Sequence, residues 1–199
     1  MKKCLMLIIS FLFMFILCSC SVNENVNFIT FIERFNGEEN ILSISDFVSE
    51  AGKDGSSVYY SSRSDNISLI LKSDETNNIT RCRLVIAKKD IKGNDVLPGE
   101  KETELFYNTA LKTVKAFCNQ ELSAAESILL EIGFGLKNEA YEKNKTEGSF
   151  VYQYVSNELC DEFVIYNKWL CRIETTEKPE NKNGFTFSSD IRTETVPHR

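Results

Sequence analysis

Two runs, Asn66 to Ser73 and Ile79 to Lys88, alternate apolar with polar side chains and are separated by the turn-rich segment Asp74 to Asn78. Strict alternation sends every second side chain to one face, so such runs can bury that face only as strands of a sheet. The spacing predicts an antiparallel hairpin with Ile67, Leu69 and Leu71 in one row, and Cys82, Leu84 and Ile86 in the matching row. Arg81 and Arg83 then point away from the core. Within that row Cys82 reads as a small buried residue rather than an activated thiol.

The same reading extends along the chain. A helix is expected from about Val26 to Asn36, where Phe28, Ile29, Phe31, Ile32 and Phe35 form a broad apolar face and Gly37 can end it. A short helix over Ser45 to Glu50 and a strand over Ser57 to Ser61 precede the hairpin. Ile91 to Gly99, with Gly93, Asn94, Pro98 and Gly99, is a linker or exposed loop. Helical spacing returns from Glu102 to Asn119, with glutamates at its start and Lys112 and Lys115 near its end. Ser123-Ala-Ala-Glu126 has the form of a capping box ahead of the apolar run Ile128 to Leu136. Glu139 to Gly148 reads as a charged loop. Strands are expected at Ser149 to Ser156, Cys160 to Tyr166 and Trp169 to Thr176, the last two paired with Glu162 across from Arg172 and Cys160 turned away from Cys171. The tail from Lys178 to Arg199 is polar, though Phe185 and Phe187 alternate.

These elements make an α+β protein in which helix pairs pack on antiparallel sheet. They also suggest two tandem αα-βββ halves, 28–90 and 102–177, joined by a linker at 91–101 and followed by the tail 178–199. Phe31 to Asn36 parallels Val114 to Asn119, and Arg81 to Leu84 echoes Leu170 to Ile173.

Ahead of all this lies a different kind of segment. Lys2 and Lys3 precede a 13-residue stretch, Leu5 to Leu17, in which only Ser10 is polar. As a helix it would be roughly 20 Å long, short of a membrane span and suited to a signal-peptide core. Leu17-Cys18-Ser19-Cys20 then resembles the lipobox of bacterial lipoproteins, with Ser19 small and Cys20 at the acceptor position. The resemblance implies removal of residues 1–19, transfer of diacylglycerol to the Cys20 thiol, and an acyl-anchored protein on the extracytoplasmic side of the cell membrane or outer membrane. Residues 20–27 would be the lipidated tether. Cleavage would remove two of 23 basic residues and none of 29 acidic ones, leaving 180 residues with a net charge of −8. An acidic body with no basic stripe excludes nucleic acid as a partner.

Little in the chain points to catalysis. His198, the only histidine, is the penultimate residue, which removes Ser-His-Asp and Cys-His schemes and histidine metal sites. No nucleophile elbow, phosphate loop or dinucleotide fingerprint is present. Asp74, Thr76 and Asn78 imitate the start of a calcium loop, but Val85 stands where the bidentate glutamate belongs. Adjacent carboxylates such as Asp161 and Glu162 fall on opposite sides of a strand and read as solvated. Cys82, Cys118, Cys160 and Cys171 are an even set that permits disulfides, without metal-binding spacing. Neither cofactor nor metal is expected. Three glycosylation sequons, at Asn66, Asn78 and Asn144, read as accidental in a bacterial lipoprotein.

Tyr152 and Tyr154 share a strand face with Phe150, and Tyr59 or Tyr60 falls on the equivalent strand of the first half. Aromatics on an open sheet face are good anchors for a protein, peptide or glycan. The element order, helices followed by antiparallel strands and then repeated, resembles the tandem architecture of the beta-lactamase inhibitory protein family and related envelope lipoproteins. That resemblance implies contacts through a sheet face and its loops, but no contact residue carries over. The leading expectation is therefore a membrane-anchored, non-catalytic module that binds an envelope protein, peptide or glycan. The alternatives are a structural or assembly lipoprotein and, third, an enzyme built on carboxylates or tyrosine.

Overall fold

The computed structural model describes residues 25–171 apart from Ile91. The lipobox with Cys20, the start of the tether, and the tail beyond Cys171 lie outside the described residues. Helix α1 spans Phe28–Asn36, followed by a 3-10 turn at Ile44–Asp46 and strands β1 (Val48–Ala51), β2 (Ser57–Ser62), β3 (Ile67–Ser73) and β4 (Ile79–Ala87). Helices α2 (Glu100–Cys118) and α3 (Leu122–Glu131) precede β5 (Tyr141–Glu147), β6 (Phe150–Ser156) and β7 (Cys160–Asn167). The protein is α+β: three helices lie against one face of a seven-stranded antiparallel sheet of order β1-β2-β3-β4-β7-β6-β5.

Local chemistry accounts for the boundaries of α1. The Asn27 carboxamide oxygen accepts from Thr30 N at 2.9 Å, and Gly37, at φ 58°, closes the helix by donating to the Glu33 carbonyl. Phe28, Phe31, Ile32 and Phe35 are buried, whereas Ile29 is 46 % exposed and lies off the expected face. Val26 and Asn27 do not belong to a free tether. Val26 is buried, its carbonyl accepts from Ile79 N, and Asn27 bridges to Asn78.

The predicted hairpin forms in the expected register, Ile67 opposite Ile86, Leu69 opposite Leu84 and Leu71 opposite Cys82. All six of these side chains are buried. Asp74 turns the chain by accepting from Thr76 N, Thr76 Oγ1 and Asn78 N, so its carboxylate is spent on the turn. A bulge next to Ser73 shifts the ladder by one residue at Thr80, which places both Ile79 and Thr80 inside.

Several expectations fail for identifiable reasons. Residues 48–51 are an edge strand rather than a short helix, because β2 offers them a ladder. The charged segment expected as a loop is β5, whose polar side chains suit an outer strand paired only with β6. Ser123 does not cap α3. The helix begins at Leu122 with Glu121 at the cap position and no side-chain cap bond. The strand expected from Trp169 instead starts as a turn, in which Leu170 N and Cys171 N both donate to the Asn167 carbonyl. β7 has β4 on one edge and β6 on the other, so neither edge remains for a third partner. Glu162 lies opposite Val85 and Val155, and its expected partner Arg172 falls outside the described residues.

The halves are not copies, element for element. β2-β3-β4 and β7-β6-β5 do mirror one another across the central β4–β7 pair. However, among the described residues the first half has four strands to the second half's three, and a 3-10 turn stands where the second half has a helix. Asn36 and Asn119, which look equivalent in sequence, also do different work. The Asn36 side chain binds the backbone of Ile41 and Leu42, whereas Asn119 ends α2 in the left-handed conformation at φ 52°.

Candidate functional site

The strand register sorts the candidate aromatics by face. Tyr152 and Tyr154 point beneath the helices and are 0 % exposed. Tyr152 lies opposite Ile165 and donates to the Cys118 sulfur at 3.3 Å, while Tyr154 lies opposite Phe163 and donates to the Gly135 carbonyl at 2.6 Å. Burial raises the pKa of both phenols. Tyr59 also faces inward, its ring stacked on Phe28 at 4.0 Å and its hydroxyl on Asn77. Tyr152 and Tyr154 are core residues and the half-buried Tyr59 packs against the core, all three with satisfied hydroxyls, so they do not share an open binding face. Tyr60 points the other way.

Polar chemistry gathers at one end of the core, where sequence reasoning expected solvated carboxylates. Asp161 is 0 % exposed and pairs with Lys88 Nζ at 2.8 Å. That ammonium also donates to the Lys137 carbonyl, Ser156 Oγ and the Asn157 carbonyl. Tyr141, Tyr154, Lys88 and Ser156 take the carbonyls of Ile132, Gly135, Lys137 and Glu139 in turn. The cluster thus holds the loop between α3 and β5 against the sheet, with its donors consumed by backbone. Parity was the available signal, since Asp161 shares the inner face with Phe163 and Ile165.

Beside this loop lies a shallow groove of about 430 Å³ lined mainly by Thr103, Phe106, Tyr107, Phe134 and Leu136, with Glu100 at its rim. Phe134 fills much of the space between, packing on Phe106, Tyr154 and Phe163 with ring centroids 5.0 to 5.3 Å apart. The four described cysteines are free thiols. Burial pushes the Cys82 thiol well up and the Cys118 thiol up to about 12, so both are held protonated and unreactive. Among the described residues no group of three or more His, Cys, Asp or Glu is placed to hold a metal, and no helix is long and apolar enough to cross a membrane.

The opposite face of the sheet is a different surface. One row crosses all seven strands as Val48, Tyr60, Ile70, Arg83, Val164, Gln153 and Asn144. The next runs Glu50, Val58, Lys72, Arg81, Tyr166, Val151 and Thr146. A third includes Ser68, Val85, Glu162 and Val155. None of these side chains belongs to the core cluster that joins sheet and helices. Half of them are aliphatic or aromatic, and Tyr60, Ile70, Val58, Tyr166, Val151, Val85 and Val155 are half-exposed, whereas Val164 is buried. Arg83 and Glu162 form a two-pronged pair at its centre, Nε to Oε1 at 2.7 Å and Nη2 to Oε2 at 3.1 Å. Val58, Val85, Val151, Val155 and Tyr166 were not singled out from sequence, because their outward position depends on which face the helices cover.

Set against known proteins, the chain matches no family model, no curated protein and no solved structure.

Proposed function

We propose that this chain is a lipid-anchored, extracytoplasmic module of the bacterial envelope that binds another protein or an envelope component, without catalysis, through the outer face of its sheet. The carrying observation is that face: six of the seven strands present valines, Ile70, Tyr60 or Tyr166 on the side away from the three described helices. Contiguous apolar surface of this kind marks interaction sites. The anchor rests on the lipobox ending at Cys20, and the tether it implies is short, since Val26 is already packed in the fold. The binding surface is thereby held close to the membrane.

Photo-cross-linking in intact cells tests the reading. A photoreactive residue at Val151, on the outer face, should yield discrete adducts, whereas one at the exposed Leu130 on α3 should not. Equal labelling from both positions would overturn the outer face as the binding surface. Cys20→Ala should abolish incorporation of labelled palmitate and release the protein from membranes, and unchanged labelling would sink the anchor.

A further inference from the structure

We infer that the end of the sheet where the chain enters the fold lies on the bilayer itself, with Trp169 seated in the lipid headgroup interface. This second contact rests on the lipid anchor proposed above. Val26 is six residues on from Cys20, so the packed fold starts no more than about 20 Å from the acylated thiol even with the chain fully extended. The Val26 carbonyl accepts from Ile79 N, and the Thr80 carbonyl next along β4 accepts from the Cys171 thiol at 3.4 Å. Cys171 and Leu170 close the turn after β7 on the Asn167 carbonyl. Trp169 lies in that turn, its backbone N donating to Asn167 Oδ1 at 3.0 Å. Tether and tryptophan therefore share one end of the molecule.

Trp169 is the chain's one tryptophan, and among the described residues it is 60 % exposed. The Lys168 ammonium lies 5.3 Å from the centre of its ring. An indole is favoured among headgroups, where its apolar body is buried and its N–H stays wet, and a neighbouring lysine can reach up to the phosphates. Leu122, 47 % exposed, opens α3 at the same end, because Phe117 in the last turn of α2 packs on Phe150 and Phe150 pairs with Asn167. The turns at this end carry Asp54, Asp74 and Glu75 against Lys53 and Lys168. Anionic lipid does not draw such an end down, so a zwitterionic surface suffices. Leu97 and Leu159 are also exposed, but they sit beyond the far end of β4, where Lys88 N donates to the Leu159 carbonyl and Val96 N to the Lys88 carbonyl. Seated on Trp169, the strands stand off the membrane and the outer face of the sheet is left open to a partner alongside.

A single tryptophan makes the test direct. Lipidated full-length protein, purified from membranes in detergent, is reconstituted into phosphatidylcholine vesicles and into vesicles of phosphatidylcholine brominated near the top of its acyl chains. Trp169 emission should fall by about half on the brominated lipid, and adding phosphatidylglycerol should not deepen the loss. The reporter is then moved to the far end by Leu97→Trp in a Trp169→Phe background, and its emission should be the same in both kinds of vesicle. Protein that floats with vesicles while Trp169 stays unquenched would overturn the interfacial seat and leave the lipid anchor standing. Equal quenching from both positions would do the same. Quenching that requires phosphatidylglycerol would overturn the indole as the source of the contact. Protein that fails to float with vesicles would overturn both the seat and the anchor.

Discussion

Cys118 shows how one side chain reports on the core. It keeps some accessible surface, yet burial pushes its thiol up to about 12 from an ordinary 9.0, outweighing the hydrogen bond from Tyr152 that favours the thiolate. An acid that is harder to ionise in the folded state than in the unfolded chain stabilises the fold only while protonated. Its contribution is intact below about pH 9 and is lost as pH rises toward 12, at up to about 1.4 kcal/mol per pH unit. Thermal melts taken from neutral into alkaline conditions should therefore show a falling midpoint, with a shallower fall for Cys118→Ala. Identical slopes would mean that the thiol ionises as freely in the folded protein as in the unfolded chain. Asp161 is the second residue of consequence. Asp161→Ala leaves the largely buried Lys88 ammonium without its counter-charge and should cost about 3 kcal/mol in urea unfolding. A loss under about 1 kcal/mol would show that the three oxygen acceptors on Lys88 suffice by themselves. Alternation placed Asp161 and Glu162 on opposite faces. It could not say that the face of Asp161 continues under a loop, because that loop is fixed by carbonyl contacts from residues far apart in the chain.

Among elements, the connections divide by what holds them. Gly148, at φ 57°, opens the two-residue turn between β5 and β6, and a Cβ there would meet nothing within 4 Å. Gly133, at φ 67°, follows α3, and a Cβ there would run into the Tyr141 hydroxyl that donates to the Ile132 carbonyl. Gly148→Ala should thus cost only the backbone penalty of about 1–2 kcal/mol. Gly133→Ala should add the displacement of Tyr141, about 1–3 kcal/mol more. Equal losses in equilibrium unfolding would contradict the contact with Tyr141. Helices and central strands were legible because their apolar periodicity is strong and local. β5 was not, since an edge strand of Tyr-Glu-Lys-Asn-Lys-Thr-Glu has no apolar row and owes its conformation to β6. The start of the segment after Asn167 misled for the opposite reason. Its alternation suited a strand from Trp169, but Leu170 and Cys171 close a turn on the Asn167 carbonyl, and both edges of β7 are taken by β4 and β6.

For the whole molecule, the β4–β7 pair is decisive. It joins residues 79–87 to 160–167, so both parts of the chain contribute to one sheet and one buried cluster. Unfolding should be a single transition, coincident by far-ultraviolet circular dichroism and by the near-ultraviolet signal of the buried tyrosines. Two separated transitions would show that the parts fold independently. By itself the sequence determined the α+β class, the inner row of the first hairpin, the acidic charge and the expectation of a lipid anchor at Cys20, because periodicity, composition and a contiguous motif are all local properties. Only the tertiary structure decided which face of the sheet the helices cover. In the first hairpin the arginines already marked the outer side, but in β6 alternation defines two apolar faces equally well, and the burial of Tyr152 and Tyr154 follows from how distant helices pack.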